Sequence, residues 1–426
     1  MDRKTYRSRN RNSQIHQTLM KQDRIFNTLL LMLLPSLVIS FAANSIILAS
    51  LTVISIFQIN RTAAKTFFRK YLYFNFFFLA VLLGLFLDVL SGTDFDSRQV
   101  IKRAAFILMP FIILHAKKHY QRMALQVFVY FLSFMSFILI LLGFVRSVIN
   151  KNKILYGNWD SKTTEAFYTQ DMLINWGELS YKRLFLFLDM HPSYYALFSA
   201  KAILILLFTT YIRIKKPIKW ILVTLHAIMI ILLSSKAGLA SLFIILIPAF
   251  FLNKKVKYKL MGTVVIMTLI ISMVSVPSTQ LRLKRAYASL TSENTELQSS
   301  SSSERMTLWR SVKDFSAKEL LTGVGIQSSR SKIHLLTGID KNMHNQYLQV
   351  LVNSGVAGCI LLISFLLLPL AYNRGFFTKM FIAVLLLNLM MENMLDRAWG
   401  VVFVSFFYGL LIFGYLNFSN EKSLKM

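Results

Sequence analysis

Apolar residues fall into long blocks along this chain, separated by short polar or basic punctuation. Windows rich in Leu, Ile, Val and Phe recur at 26–42, 45–58, 71–90, 100–115, 124–145, 192–212, 218–234, 238–252, 259–277, 346–370, 376–391 and 399–417. A hydrocarbon layer about 30 Å thick needs about 20 apolar helical residues, so the pattern predicts an all-α, polytopic chain of twelve membrane spans. The first two windows admit another reading, one long helix kinked at Pro35, which leaves eleven spans. No 20–50-residue repeat and no paired broken helices are visible in the pattern.

Two longer polar interruptions remain, 146–183 and 278–345. The second carries the serine-rich run at 299–304 and then "ERMTLWRSVKDFSAKEL", which reads as one amphipathic helix with Leu308, Val312 and Phe315 on a single face. Ser301 and Glu304 have capping-box spacing, and "TGVG" at 322–325 is a helix stop.

Composition agrees with this picture: 55% of the 426 residues are hydrophobic and 16% charged, with mean hydropathy +0.54. The net charge of +29 raises the question of nucleic acid. The lysines and arginines sit instead in short clusters between apolar runs, so no nucleic-acid partner is expected. Topology accounts for them. With the amino terminus inside, the short internal loops hold Arg61 to Lys70, Lys117 to Arg122, Arg213 to Lys219, Lys254 to Lys259, and Arg374 with Lys379, without an acid among them. Asp94, Asp96, Glu392 and Asp396 fall on the other side, as the positive-inside rule requires, and this selects twelve spans. The expected organisation is a basic cytoplasmic leader, 1–24, followed by one transmembrane catalytic domain, 25–426, with outward loops 146–183 and 278–345. The first helix reads as a retained anchor rather than a cleaved signal. Cys359 is the single cysteine and sits in an apolar window, so no internal disulfide is available.

This topology places only His191, His334 and His344 of the seven histidines at the outer face. A neutral imidazole at His344, where a polar loop enters a helix, can take a proton from an alcohol near pH 7; the bland alternative is an interfacial histidine capping the helix. Arg305, early in the loop helix, suits a phosphate, with a solvated loop arginine as the alternative. Lys236 in "LLSSKAGLAS" interrupts apolar sequence and either faces a cavity or snorkels to the interface. His191, before Pro192, is either a pocket residue or part of an aromatic interface anchor. Arg103 and Arg397 are further outward cations, with Glu392 a candidate partner, and together they suit an anionic donor. For Lys201, deeper in its window, the expectation is only that a buried charge is paired. Nucleotide loops, HExxH pairs and Cys/His zinc patterns are absent from the sequence, so no metal or cofactor is expected.

Several stretches resemble the O-antigen ligase and O-antigen polymerase family of membrane-embedded, C-type glycosyltransferase-like proteins. "SSKAGLAS" is similar to the family's Ser-Arg-x-Gly helix start, "SERMTLWRSVKDFSAKELLTGVG" to its Arg…Trp…Gly-Val-Gly loop helix, and "HNQYLQVLVNSGVAG" to its His-Asn-x-Tyr-Leu…Gly-x-x-Gly segment. "HPSYYALF" and "ENMLDRAWGVVFVSFF" resemble further outer-edge motifs. The resemblance implies metal-free glycan transfer from undecaprenyl diphosphate to a sugar hydroxyl of lipid A-core, or of a growing glycan, at the periplasmic side of a Gram-negative inner membrane. It implies that His344 activates the acceptor hydroxyl and that Arg305, with Lys236 and Arg103, binds diphosphate. Supporting or pocket positions then include His191, Asn345, Tyr347, Glu392 and Arg397. Lys236 departs from the family's arginine, keeping the charge but losing the bidentate fork. An exopolysaccharide or O-antigen polymerase would use the same donor, a protein O-glycosyltransferase would differ in its acceptor, and a lipid or glycan transporter is the competing class.

Overall fold

Each of the twelve apolar windows contains helix in the computed structural model, which describes residues 22–56, 64–151, 174–188, 190–252, 256–275, 301–416 and 418. The leader up to residue 21, residues 152–173 of the first outward loop and residues 276–300 of the second lie outside the described residues. So do the side chains of Ser301 and Ser302, and with them the capping box expected there. Among the described residues the secondary structure is helical throughout. Gln22–Ile39 (α1), Lys118–Ile149 (α7), Lys216–Leu233 (α10) and Gln346–Tyr372 (α16) are long and apolar enough to cross a membrane, and a bent pair, Phe67–Phe74 with Phe76–Leu90, makes a fifth candidate. Shorter apolar helices include Phe41–Ile56 (α2), Pro192–Phe208 (α9), Lys236–Phe251 (α11), Phe376–Met391 (α17) and Ala398–Ile412 (α18).

The first two windows form two helices, not one kinked at Pro35. The Asn44 amide donates to the Leu33 carbonyl, 2.6 Å away. Eleven residues of continuous helix would separate these groups by about 16 Å, so the chain must turn back, and it does so at Ser40.

Three other expected helices are interrupted, each for a local reason. The third window divides at Asn75 into Ala64–Phe74 (α3) and Phe76–Leu90 (α4), bent by 53°. There the Asn75 side chain bonds back to the Tyr71 carbonyl and competes with the helical ladder. The fourth starts as a separate turn of helix, Ser97–Lys102 (α5), capped by Asp96, and resumes after Arg103 as Ala104–His115 (α6). α16 is broken at Gly355 (φ 64°, ψ −162°). The Val352 and Asn353 carbonyls just before the break accept from the Val324 and Gly325 amides of the 301–345 segment. A Cβ at Gly355 would lie 2.4 Å from the Leu321 carbonyl oxygen, so only glycine lets the two backbones cross.

α9 and α18 form the centre. All of α9 except Ser193 is buried, and Phe198 stacks on Phe403 of α18 with ring centroids 4.1 Å apart. Lys201 of α9 is fully buried, and its ammonium donates to the Phe381 carbonyl while lying over the Phe381 ring. The expectation that its charge finds a partner is met by a dipole and a π face, not by an acid.

The outer segment is also not the single helix anticipated. It runs as Ser301–Arg310 (α13), a 3₁₀ turn Ser311–Asp314, Ala317–Thr322 (α14) and Ile326–Thr337 (α15). Ser316 restarts the helix with its own capping box to Glu319. Leu308 and Phe315 still share a face, packed with Ile333, Met343 and Val352 into a small separate core that Val312 flanks.

One buried carboxylate seats this segment on the helices below. Asp88, near the end of α4, accepts hydrogen bonds from the Ile326, Gln327 and Ser328 amides and from the Ser328 hydroxyl, all at 2.9–3.1 Å. It thus neutralises the free donors and positive end of α15 from another helix. Gly325 makes room: its φ is +99°, and a Cβ there would lie 2.2 Å from an Asp88 carboxylate oxygen. Asp88→Ala is expected to cost about 2–4 kcal/mol, because several buried donors lose a charged acceptor, and Asp88→Asn less. Limited proteolysis of 301–345 in detergent, read beside thermal unfolding, checks this. Unchanged cleavage would mean that the small apolar core alone holds α15.

Candidate functional site

His344 stands at the join between the outer segment and α16, and its backbone is fixed from both sides. Before it, the Met343 amide donates to the Gln349 side chain and the Met343 carbonyl accepts from the Trp309 indole, 2.8 Å away. After it, Asn345 caps α16, its side-chain oxygen accepting from the Tyr347 and Leu348 amides. Between these anchors His344 takes φ +48°, an uncommon backbone for a residue with a Cβ. The ring is thereby aimed by the fold.

Its Nδ1 lies 3.0 Å from a Glu392 oxygen, and the other Glu392 oxygen accepts from the Arg305 guanidinium. Glu392 follows the last residue of α17 in an extended conformation and is 13% exposed. Burial alone would raise its pKa, but the His344 hydrogen bond and the Arg305 charge outweigh it and hold the carboxyl below its ordinary value. An ionised carboxylate can only accept, so Nδ1 carries the hydrogen and a neutral His344 presents its lone pair on Nε2. Nε2 has no hydrogen-bond partner among the described residues.

These groups line a cavity of about 1040 Å³ between the outer segment and the helix ends beneath it. Of the residues singled out in the sequence, His344, Arg305, Glu392, His191, Arg103 and Arg397 share its wall. His191 caps α9, with Nδ1 accepting from the Ser193 amide and Nε2 3.1 Å from the Tyr181 hydroxyl. Arg103 is 3% exposed, and its guanidinium donates to Asp396 and to both the carbonyl and side chain of Gln99. Asp396 also accepts from Gln346 and Asn393, joining α6, α16 and the 392–397 turn into one polar network.

The other three do not reach the wall. Lys236 starts α11 behind the Ser235 cap and is exposed outside the cavity lining. Asn345 serves as the cap of α16. Tyr347 turns inward, its hydroxyl donating to the Leu386 carbonyl.

Charge in the cavity is mostly paired: Arg103 with Asp396, Arg305 with Glu392, Arg330 with Asp340 and Lys341 with Glu304. Lys102 and Arg397 are the two remaining lining cations, and no ion pair holds either among the described residues. Sequence reasoning missed Lys102. The available signal was its place beside Arg103, immediately before an apolar helix. The lining also includes apolar side chains: Phe41 and Leu48 of α2, Ala105 and Leu108 of α6, and Trp399 and Val402 of α18. Among the described residues no group of three or more His, Cys, Asp or Glu side chains is arranged to hold a metal ion. The arrangement offers a general base, a fixed orienting carboxylate, and positive charge beside an apolar groove.

No curated protein matches the chain in sequence. Residues 221–363, which include Lys236, Arg305 and His344, match the family model described as O-antigen ligase. About a third of the chain, the stretch that carries the loop arginine and the histidine, is thus similar to the O-antigen ligase family, and the apolar helices on either side of it are those of a helical membrane protein.

Proposed function

We propose that the protein is an O-antigen ligase-like glycosyltransferase. It moves a glycan from undecaprenyl diphosphate to a sugar hydroxyl of lipid A-core at the periplasmic face of a Gram-negative inner membrane. The observation that carries this reading is the His344–Glu392 pair, which leaves Nε2 as an open base in a large cavity. The acceptor hydroxyl gives its proton to Nε2 and its oxygen bonds to the anomeric carbon. The bond from that carbon to the diphosphate breaks, and the lipid diphosphate carries off the electron pair. Glu392 holds the ring in the required tautomer and stabilises the imidazolium that forms. A diphosphate donor brings its own leaving group, so the reaction requires neither nucleotide nor metal.

The twelve-span topology and outward orientation belong to the same proposal. α6 begins at the cavity and ends beside Lys117 and Lys118, α16 begins there and ends before Arg374, and the bent α3–α4 pair runs from Arg69 and Lys70 to Asp88. Positive ends on one side and the cavity on the other fit an active site facing away from the cytoplasm.

In lipid nanodiscs supplied with lipid-diphosphate glycan and lipid A-core, wild-type protein is expected to transfer glycan without nucleotide. His344→Ala should lower kcat by about 10²–10⁴-fold, and Glu392→Gln should lower kcat with little change in KM. Transfer at the wild-type rate by His344→Ala would remove the base. In cells, loss of all long chains with accumulation of lipid-linked polymer on deletion indicates ligase; a core bearing one repeat indicates polymerase.

The depressed Glu392 pKa gives a second expectation. A carboxyl whose folded value lies below its ordinary 4.5 contributes stability that is fully present above that pH and is lost as pH falls through the folded value. The thermal-stability advantage of wild type over Glu392→Gln should therefore be level from neutral pH down to about 5 and shrink below 4.5. An advantage that grew on acidification would contradict the ion-paired assignment.

A further inference from the structure

His344 and Glu392 meet from different elements, the first near the end of the 301–345 segment and the second just past the end of α17. One residue ties both approaches together. Gln349 lies one turn inside α16, where side chains lean towards the helix start, so its amide reaches back to the residues before the cap. Its Oε1 accepts from the Met343 backbone amide at 3.0 Å and from the Asn393 side-chain amide at 3.1 Å. Met343 and Asn393 are the immediate chain neighbours of His344 and Glu392. The Gln349 Nε2 donates to Asn353, whose side-chain oxygen also accepts from the Ser329 hydroxyl of α15. The Gln349 amide cannot turn over, because a backbone N–H can only donate and the oxygen must therefore face Met343. Gln346, three residues earlier on the same face of α16, holds the far end of the 392–397 turn, accepting from the Leu395 amide and donating to Asp396. Gln346, Gln349, Asn353, Ser329 and Asn393 are all buried, so a bond lost among them leaves a polar group unpaired.

We propose that Gln349 is a positioning residue: one amide oxygen, shared by the backbone beside His344 and the side chain beside Glu392, sets the distance between imidazole and carboxylate. This deepens the transferase reading and rests on it for what the pair does. Asp88 fixes where the 301–345 segment sits, but Glu392 belongs to another element, and a seat for one partner does not set the spacing of two. A common acceptor does, because a shift of either approach strains the same oxygen. The margin is small, since a functional constellation works only when held to within about 0.5 Å.

The test is a double-mutant cycle read by thermal unfolding of the full chain in nanodiscs, without substrate. His344→Ala, Glu392→Gln and the two together are made in wild type and in Gln349→Met, which keeps the length of the side chain and removes its acceptor. In wild type the two single losses of melting temperature should sum to more than the loss in the double variant, the mark of a direct contact. In Gln349→Met they should simply add. A Gln349 that only supported the fold would lower every melting temperature alike and leave the coupling intact, and that result overturns the proposal. So does a wild-type pair that shows no coupling. Should Gln349→Met not fold, Asn393→Ala frees the turn from the shared oxygen and should abolish the coupling in the same way. In the transfer assay Gln349→Met should lower kcat about tenfold or more with KM changed by less than about twofold; a rise in KM with kcat unchanged contradicts the assignment. Because the coupling is read without donor or acceptor, the two proposals separate. Wild-type protein whose coupling depends on Gln349 but which transfers no glycan sinks the transferase reading alone. Active protein whose coupling survives Gln349→Met sinks the positioning role alone.

Discussion

The carboxylate of Asp88 at the start of α15 is the constraint on which the site geometry depends. A short helix outside the main bundle has little apolar surface of its own, and the core formed by Leu308, Phe315, Ile333, Met343 and Val352 is small. Three amides and a hydroxyl bound to one buried acid on α4 give that segment a fixed seat. The neighbouring Val324 and Gly325 amides then bond to the carbonyls that α16 frees at its break. The residues before His344 are tied to the same segment through Trp309. The distance from Arg305 to Glu392 and the aim of His344 are consequences of that seat. Loosening it would move Arg305 and His344 together, while Glu392 stayed at the end of α17.

Glu392 joins two functions that would otherwise conflict. An arginine placed beside a neutral imidazole disfavours its protonation, whereas the proposed transfer would have the imidazole become a cation. A carboxylate between them cancels much of the Arg305 charge and presents an acceptor to Nδ1. Arg305 and His344 are thereby coupled through one carboxylate. The Arg103 guanidinium is paired in the same way with Asp396.

Hydropathy made the helical architecture legible because every window is long and nearly pure, and the charge bias between loops separated α1 from α2 where composition alone left two readings. His344, Arg305 and Glu392 were each visible as polar residues at the mouths of apolar segments. Their union was not: 48 residues separate His344 from Glu392 and 87 separate Arg305 from it, and no local pattern encodes such a contact. Asp88 was hidden by its own context, one acid inside a window otherwise rich in Leu and Phe. Lys236 stood out for the opposite reason, a lone charge in apolar sequence, yet the fold sets it outside the cavity. The interruptions at Asn75, Arg103 and Gly355 escaped because an averaged apolar window is insensitive to a single residue that leaves the helix.

The interruption at Arg103 and the turn after α17 bring polar groups to the cavity wall. In a hydrocarbon setting an unbroken helix satisfies its own backbone and offers the interior only side chains. Where α16 breaks at Gly355, its freed carbonyls are taken by the outer segment. Where the α5–α6 junction breaks, Arg103 turns into a network of Gln99, Asp396 and Gln346. Where α17 ends, residues 392–397 fold into a short turn whose Asn393 and Leu395 are held by Gln349 and Gln346. Each break is satisfied by protein groups, which lets non-helical backbone persist at the rim of a membrane bundle and brings helix starts to a common point. Helix starts, charged side chains and apolar flanks therefore meet at one cavity, because several of these helices begin at its wall.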